Sequence, residues 1–344
     1  MGHPTPASRL RLGILGPISW RTPPRHYGAW ETVVHNLTEG LVARGHDVTL
    51  FATQDSVTAA RLHAVCPRPY SEDLSVDASV MTSLHISEAM EMAGEFDLLH
   101  SHLDFLPLTY SRLISAPLLT TIHGFSSEKI KAVYHKYADL PYVSISNADR
   151  DPRLNYVATV YNGIDLGEFT FRANPAGDYL LYLGRFHPEK GVHLAVQVAR
   201  EAGLPLVIAG IHQDVDYWRN QVEPFVDGER VRFVGPADRE QRDALMGNAL
   251  ACLHLVTRPE RFGLTIVESL ACGTPVVAMD LGSPREILAD GVSGFLVHSV
   301  EEAVAAVRRV GDIDRAACRR SVAERFTVDH MVDGYLRVYD QLLN

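Results

Sequence analysis

Long apolar runs, clustered cysteines and an excess of positive charge are all absent from this 344-residue sequence. No apolar run approaches the roughly 18 residues of a membrane-spanning helix, so we expect no helix that crosses a membrane. The four scattered cysteines show no C-x-x-C spacing and predict neither a disulfide framework nor a zinc site. The net charge of -10 argues against nucleic acid as the main partner, because phosphate backbones are held by basic surfaces.

The first eleven residues are polar and contain proline, without the apolar stretch of a signal peptide. A reducing cytoplasm is therefore the expected compartment. Apolar residues make up 46% and charged residues 22%, which is ordinary for a globular protein with a full core.

Short apolar runs alternate with amphipathic helical patterns along the whole chain. Continuous apolar runs of this length are typical of parallel strands that are covered on both faces. The predicted strands are Leu10–Leu15, Val48–Ala52, Asp97–His100, Pro117–Ile122, Tyr142–Ile145, Ala158–Tyr161, Tyr179–Leu183, Leu206–Ala209, Val231–Val234, Ala251–Leu255, Pro275–Ala278 and Gly294–Val297. This alternation predicts an α/β protein with two doubly wound, Rossmann-like domains.

Turn residues between 162 and 176 separate the two rounds of strands and helices. The sequence therefore predicts an N-terminal domain over residues 1–165 and a C-terminal domain over residues 166–344. The last helix, at about 328–344, has a broad apolar face, and the sequence leaves open which domain it packs on.

Two glutamates stand eight positions apart in the segment Pro259–Glu268, the first in a loop and the second early in a helix. A helix that starts after a glycine turn offers free backbone N–H groups to an anion, and a nearby carboxylate accepts hydrogen bonds from hydroxyls. The alternatives are structural: Thr265 and Glu268 fit a T-x-x-E capping box, and Glu260 fits a solvated loop.

The loop Gly184–Gly191 directly follows a predicted strand and contains Arg185 and Lys190 between two glycines. Arginine can bind a diphosphate through two parallel hydrogen bonds, and lysine supplies a compact point charge. The alternative is a solvated turn with Lys190 on a helix surface.

These segments resemble, in order and spacing, the retaining glycosyltransferases of family 4. The resemblance also rests on Tyr161–Asp165, on the SLACGTPVVA run after Glu268, and on Gly40–Leu50, Asp97–His102 and Thr121–Gly124 in the first half. It implies the GT-B fold, with an interdomain cleft, a nucleotide-sugar donor on the C-terminal domain and an acceptor on the N-terminal domain.

The resemblance also implies roles for individual residues. Arg185 and Lys190 would hold the diphosphate, with Gly184 beside them. Glu260 would contact the transferred sugar, and Glu268 the ribose. Phe262, Gly263, Leu264 and Thr265 would contribute substrate contacts around the helix start, while His123 would approach the donor sugar from the other domain.

Two positions depart from the family pattern. Relatives often carry two glycines where this chain has Gly28 followed by Ala29, so only Gly28 is carried over as a substrate-binding residue. Arg261 occupies a position that is commonly small or proline, where it either adds a cation near the donor or points to solvent.

Arg185, Lys190 and a helix N-terminus can stabilise a leaving diphosphate without a metal, so we expect no metal and no cofactor. Asp214 and Asp216 are interpreted as a helix start rather than as metal ligands. The resemblance implies retention of anomeric configuration, with the departing phosphate oxygen helping to deprotonate the acceptor.

The expected reaction is transfer of a hexose from a UDP- or GDP-sugar to a hydroxyl of a sugar, small-molecule or lipid-linked acceptor. A nucleotide-sugar hydrolase or epimerase of the same fold is the main alternative. A non-catalytic carbohydrate-binding protein is a further alternative, but such a protein needs no residues that bind a diphosphate, so the sequence favours it less. A nicotinamide dehydrogenase needs a G-x-G-x-x-G turn, and Gly13–Pro17 matches it poorly.

The stretch Glu128–Tyr137 is basic and aromatic. It fits either peripheral contact with an anionic membrane or a solvated helix face, and the acidity of the chain favours the second interpretation.

Overall fold

The computed structural model describes residues 9–25 and 28–344, and the chain divides into two compact units. The first unit extends to Ile145, resumes over Arg150–Gly163 and includes Val328–Asn344. The second comprises Ser146–Asp149 and Ile164–Thr327. The chain thus passes to the second unit slightly before the predicted boundary at 165, and the last helix belongs to the first unit.

The first unit is built on a parallel sheet. Its strands are β1 (Arg11–Leu15), β2 (Asp47–Phe51), β3 (Arg61–His63), β4 (Leu98–Ser101), β5 (Leu118–Ile122), β6 (Tyr142–Ser144) and β7 (Tyr156–Thr159). Their order across the seven-stranded sheet of the described residues is β3-β2-β1-β4-β5-β6-β7. All strands predicted in this half are confirmed to within about two residues, a usual uncertainty of strand ends. The edge strand β3 was not predicted.

Helices cover this sheet, among them α1 (Ala29–Ala43), α2 (Ala78–Glu91) and α3 (Lys131–Lys136). The apolar side chains Val33, Val34, Leu37, Leu41 and Val42 recur at helical spacing along α1. The first four are buried, and Val42 is half-buried. Tyr134 and Tyr137 of the basic aromatic stretch are buried in a core cluster with Leu108 and Ile122. Its aromatic side chains therefore face the protein interior.

The second unit repeats the architecture with a smaller parallel sheet. Its strands are β8 (Leu180–Leu183), β9 (Leu206–Ala209), β10 (Val231–Phe233), β11 (Ala251–His254), β12 (Val276–Met279) and β13 (Gly294–Val297). The strand order is β10-β9-β8-β11-β12-β13. Its helices are α4 (Val192–Ala202), α5 (Val215–Gln221), α6 (Arg239–Asn248), α7 (Leu264–Ala271), α8 (Pro284–Ile287), α9 (Val300–Val307) and α10 (Arg315–Ala323).

Local contacts explain two details of the second unit. The Asp214 carboxylate accepts a hydrogen bond from the Tyr217 N–H at 2.9 Å and caps α5, which confirms the predicted helix start. The Glu286 carboxylate accepts from the backbone N–H groups of Asn147 at 2.9 Å and Ala148 at 2.8 Å. These bonds attach the short segment Ser146–Asp149 to the second unit.

The last helix, α11 (Val328–Leu343), packs within the first unit. Arg44 at the end of α1 pairs with Asp329 at 2.8 Å and Asp333 at 2.5 Å. On its buried side the Tyr335 hydroxyl lies 2.9 Å from Thr121 Oγ1 on β5. No helix in the described part of the chain has both the length and the apolar character needed to cross a membrane.

Each sheet has one point where the strand order reverses. In the first unit it lies between β1 and β4, and in the second between β8 and β11. In open parallel sheets, ligands bind beyond the carboxyl ends of the strands at such a switch point. The loops that follow these four strands are therefore where functional side chains are expected.

Candidate active site

Lys190 and Glu260 meet at the switch point of the second unit. Lys190 follows β8 and Glu260 follows β11, and Lys190 Nζ lies 2.6 Å from Glu260 Oε2. His254, the last residue of β11, contacts the same carboxylate oxygen through Nε2 at 3.0 Å. The structure thus brings two predicted site residues together and adds a third that the sequence analysis missed.

The Glu260 carboxylate is almost fully enclosed, with 10% of its side chain exposed. Burial alone would raise its pKa, but the hydrogen bond from His254 and the charge of Lys190 outweigh burial and hold the pKa well below the usual range. Glu260 is therefore an anion with its own counterion, ready to accept hydrogen bonds.

The backbone around Glu260 is fastened to the loop after β12. The Glu260 N–H donates to Leu281 O at 2.9 Å, and the Ser283 N–H donates to Glu260 O at 2.9 Å. A side chain at Gly282 would place its Cβ 2.4 Å from Glu260 O, so only glycine permits this approach. The position of Glu260 is fixed by backbone contacts as well as by its charge.

The helix α7 begins after Gly263, which has a φ of 88°. Leu264 and Thr265 occupy its first positions, and Ser283 Oγ fixes the preceding Phe262 by donating to its carbonyl at 2.8 Å. Because Gly263 is the capping residue, Thr265 lies inside the helix, and the capping-box interpretation of Thr265 and Glu268 is wrong. The N-terminus of α7 lies directly after the Glu260 loop.

Glu268 lies in α7 and is 6% exposed. Its carboxylate pairs with Arg242 of α6 at 3.2 Å. Burial raises the pKa of Glu268, and the Arg242 charge opposes that shift only in part. No motif in the sequence predicts Arg242 as the partner of Glu268.

Arg185 lies in the loop after β8, next to Gly184. Its guanidinium donates to Gln213 Oε1 at 2.5 Å, a partner that the sequence analysis also missed. Arg261 pairs with Asp149 at 3.6 Å and is about half exposed. Arg185 and Arg261 thus lie in loops that follow strands, each with a partner inside the second unit.

In the first unit, His123 directly follows β5 and is 5% exposed. Its Nε2 lies 2.9 Å from His102 Nδ1, and its ring stacks on Trp30 with centroids 5.2 Å apart. Burial lowers the pKa of His123 to about 3. The ring is therefore neutral at physiological pH, and its plane and rotation are fixed.

Gly28, with a φ of 152°, precedes α1 as its capping residue. Its loop neighbours His26 and Tyr27 lie outside the described residues. Glu31, in the first turn of α1, is 3% exposed and accepts hydrogen bonds from Ser19 Oγ at 2.7 Å and the Trp20 N–H at 3.2 Å. Burial raises the pKa of Glu31, although the hydrogen bond from Ser19 opposes the shift.

A cavity of about 180 Å³ lies beside this helix start, at the switch point of the first unit. Its walls combine apolar and aromatic groups with a few polar side chains: Pro17, Ile18, Ser19, Trp30, Tyr70, Thr82, Ile86, Leu103, Asp104, Phe105 and Leu106. An apolar pocket with a few polar groups is the usual form of a small-molecule site. Across the described residues, no group of three or more His, Cys, Asp or Glu side chains is arranged to hold a metal ion.

Two family models together match residues 30–320 of the chain. The model described as "Glycosyltransferase Family 4" matches residues 30–168, and "Glycosyl transferases group 1" matches residues 168–320. The glycogen synthase of Mycobacterium tuberculosis is 30% identical, over 90% of this chain and 88% of its own. The phosphatidyl-myo-inositol mannosyltransferase of the same species is 26% identical, over 84% of this chain and 82% of its own.

Solved structures agree on the fold. Sucrose-phosphate synthase from Thermosynechococcus elongatus has a TM-score of 0.79 at 20% identity, covering 97% of this chain and 99% of that one. Anabaena HepE, solved with UDP and glucose, has a TM-score of 0.75 at 18% identity, covering 96% and 100%. The fold is GT-B. The chain belongs to glycosyltransferase family 4, and it is a glycosyltransferase.

Proposed function

We propose that this glycosyltransferase transfers a hexose from a UDP- or GDP-sugar to an acceptor hydroxyl, with retention of configuration and without a metal. The observation that carries the proposal is the contact of Lys190 with Glu260 beside the start of α7. A cation, a hydroxyl-binding carboxylate and a helix N-terminus in one place suit the diphosphate and the sugar of such a donor.

The second unit is the proposed donor side. In the structure Lys190 is paired with Glu260. A diphosphate carries more negative charge than one carboxylate. When the donor binds, Lys190 therefore pairs with the diphosphate, and Glu260 is free to accept hydrogen bonds from the transferred sugar. Arg185 binds the diphosphate through its fork of N–H groups, and Glu268 binds the ribose hydroxyls.

In this proposal, protein groups rather than a metal stabilise the negative charge on the leaving diphosphate. Breaking the sugar–phosphate bond leaves negative charge on the diphosphate, and preorganised cations and backbone N–H groups stabilise such charge. Arg185, Lys190 and the N-terminus of α7 supply these groups. The departing phosphate oxygen then helps to deprotonate the acceptor on the same face of the sugar.

The first unit is the proposed acceptor side. The cavity of about 180 Å³ suits one ring rather than a long chain, since pockets for drug-sized ligands measure roughly 300–1,000 Å³. Trp30 offers an aromatic face, and Ser19 and Asp104 offer polar atoms to hydroxyls. His123 is proposed to contact the sugar substrate through its ring.

The test is a transfer assay with UDP- and GDP-hexoses and a panel of free hexoses, methyl hexosides and inositol, in buffer treated with EDTA. NMR of the product should show the anomeric configuration of the donor. Inverted configuration would refute the retaining mechanism. Release of free hexose, or of an altered sugar, with every acceptor would instead identify a hydrolase or an epimerase.

A further inference from the structure

Three histidines gather where β4 and β5 end side by side. His100 lies within β4, His102 directly follows it, and His123 directly follows β5. His100 and His102 are fully buried, and His123 is 5% exposed. The proposed function assigns a role to His123 alone, so His100 and His102 need a separate explanation.

His100 has no nitrogen available for either of its neighbours. Its Nδ1 lies 2.8 Å from the Tyr339 hydroxyl and its Nε2 lies 2.8 Å from Thr121 Oγ1. Its ring packs against that of His102 with centroids 4.2 Å apart. His100 therefore supports the His102 ring by packing, while the hydrogen bond of His102 goes to His123.

The contact of His102 Nδ1 with His123 Nε2 at 2.9 Å requires one proton between the two nitrogens. The other nitrogen of His102, Nε2, is buried without a hydrogen-bond partner among the described residues. If His123 donated, the proton of His102 would sit on that Nε2 as an orphaned buried N–H, which is rare in proteins. If His102 donates, its Nε2 carries only a lone pair, and the burial is less costly.

We infer that His102 donates from Nδ1 to His123 Nε2 and thereby fixes His123 as a neutral ring whose single proton is on Nδ1. His102 is a positioning residue, since it acts through His123. Stacking on Trp30 covers a face of the His123 ring, and His102 binds its Nε2 edge, so both the plane and the proton of His123 are set before substrate binds.

This arrangement limits what His123 can do. Its Nε2 lone pair is occupied by His102, and burial lowers the pKa of His123 to about 3 and that of His102 well below its usual value. His123 therefore offers substrate an N–H donor and acts neither as a base nor as a charged acid at neutral pH. Its expected partner is an oxygen of the sugar, a role that rests on the proposed function.

The assignment is tested on the full-length protein by two-dimensional NMR of ¹⁵N-labelled histidine rings, with the His123 signal identified by its loss in His123→Asn. The expected spectrum shows His123 neutral and protonated on Nδ1 at pH 7. A His123 protonated on Nε2 would overturn the inference. This measurement needs no substrate, so it stands or falls separately from the proposed transfer activity.

Two variants of His102 give the functional test. In His102→Asn the side-chain amide replaces Nδ1 as a donor, so the His123 tautomer should persist and kcat should stay within about threefold of the parent. In His102→Leu the donor is lost, and kcat should fall by about 100-fold with a smaller change in donor KM, as expected for a misplaced group. Equal kcat values in these two variants would contradict the positioning role.

The matched controls are His46→Asn and His46→Leu. His46 is also buried in the first unit, but it precedes β2 and lies at the opposite end of the sheet. Both controls should leave kcat within about threefold of the parent, because His46 is distant from His102 and His123 and distant sites act independently. A fall in His46→Leu as large as in His102→Leu would show that loss of a buried histidine, rather than loss of the hydrogen bond to His123, lowers the rate.

Discussion

The two units place different chemistry at the same edge of similar sheets. In the second unit Lys190 Nζ lies 2.6 Å from Glu260 Oε2, and the pKa of the Glu260 carboxyl is held well below its usual range. In the first unit His102 and His123 are joined at 2.9 Å, and burial lowers the pKa of both so that they stay neutral. A paired-charge edge suits an anionic diphosphate, whereas a neutral, partly apolar edge suits a hydroxylated ring.

The largest expected effect comes from removing either member of the Lys190–Glu260 pair. Lys190→Ala and Glu260→Ala should each lower kcat by about 100- to 1,000-fold, because each removes a group that stabilises charge or sugar during transfer. Steady-state kinetics measures the loss, and circular dichroism checks the fold. Lys129→Ala removes an exposed lysine of the first unit and is the matched control. Near-parental turnover in both site variants would refute their roles.

A smaller loss is expected when Glu260 keeps Lys190 but loses His254. His254→Leu should lower kcat by about 30-fold, because one hydrogen bond to a buried carboxylate disappears and the carboxylate gains freedom. His254→Gln can still donate from the position of Nε2 and should remain within about threefold. If both variants lost activity equally, the hydrogen bond to Glu260 would not be the reason.

In the first unit, Trp30→Ala should raise the acceptor KM by about tenfold, because the substitution removes an aromatic wall of the cavity of about 180 Å³. Initial rates at saturating donor and varied acceptor measure the change. Leu113→Ala removes an exposed apolar side chain of the same unit and serves as the control. An unchanged acceptor KM in Trp30→Ala would place the acceptor elsewhere.

Acid should separate the stabilities of the two units. The folded pKa is about 3 for His100 and His123 and about 4 for His85, all below the unfolded value near 6.5. The unfolded first unit therefore binds more protons, so its stability is complete above about pH 6.5 and falls as the pH decreases. Each such group contributes about 1.4 kcal/mol per pH unit within this window. Glu31 acts in the opposite direction, because its pKa is raised.

Tryptophan fluorescence can report each unit alone during urea unfolding. Trp218→Phe leaves Trp20 and Trp30 as probes of the first unit, and replacing those two leaves Trp218 for the second. Between pH 7.5 and 5.5 the midpoint of the first unit should fall more than that of the second. In the second unit burial also lowers the pKa of His193, so that unit loses some stability in the same window, against several buried histidines in the first. The lowered pKa of Glu260 affects the second unit only below its unfolded value near 4.5. Equal shifts in both units would contradict the neutral-histidine assignment.

The smallest expected effect is that of metal removal. If Arg185, Lys190 and the start of α7 stabilise the leaving diphosphate, EDTA should change kcat by less than about twofold. The assay repeats the transfer before and after chelation, with added Mg²⁺ and Mn²⁺ as the comparison. Loss of activity in EDTA that either ion restores would overturn metal independence.

The strands were predictable because buried parallel strands are continuous apolar runs, whereas β3 is a three-residue edge strand with only Leu62 apolar. The site was only partly predictable. Arg185, Lys190, Glu260 and Glu268 stand in motifs, but Lys190 and Glu260 meet across 70 positions, which only the strand order determines. His254 ends the apolar strand β11 and belongs to no motif, so the only signal for it is a histidine within an apolar run.

The local pattern at Thr265 misled because sequence spacing does not fix where a helix begins. Gly263 starts α7 two residues earlier, and Glu268 is then directed to Arg242 rather than to the backbone. In the first unit, the His102–His123 contact follows from the pairing of β4 with β5 and from the loops that continue them. Such pairings depend on tertiary structure rather than on residue propensity.

Calorimetric titration of the protein with UDP, GDP and ADP tests the proposed donor side most directly. One nucleoside diphosphate should bind saturably, and Lys190→Ala should weaken that binding by about tenfold or more, since the lysine supplies a point charge to the phosphates. The sugar conjugate of the same nucleotide should then bind and support transfer. Failure of all three nucleotides to bind, or equal affinity in the Lys190→Ala variant, would contradict a diphosphate site at Lys190 and Glu260.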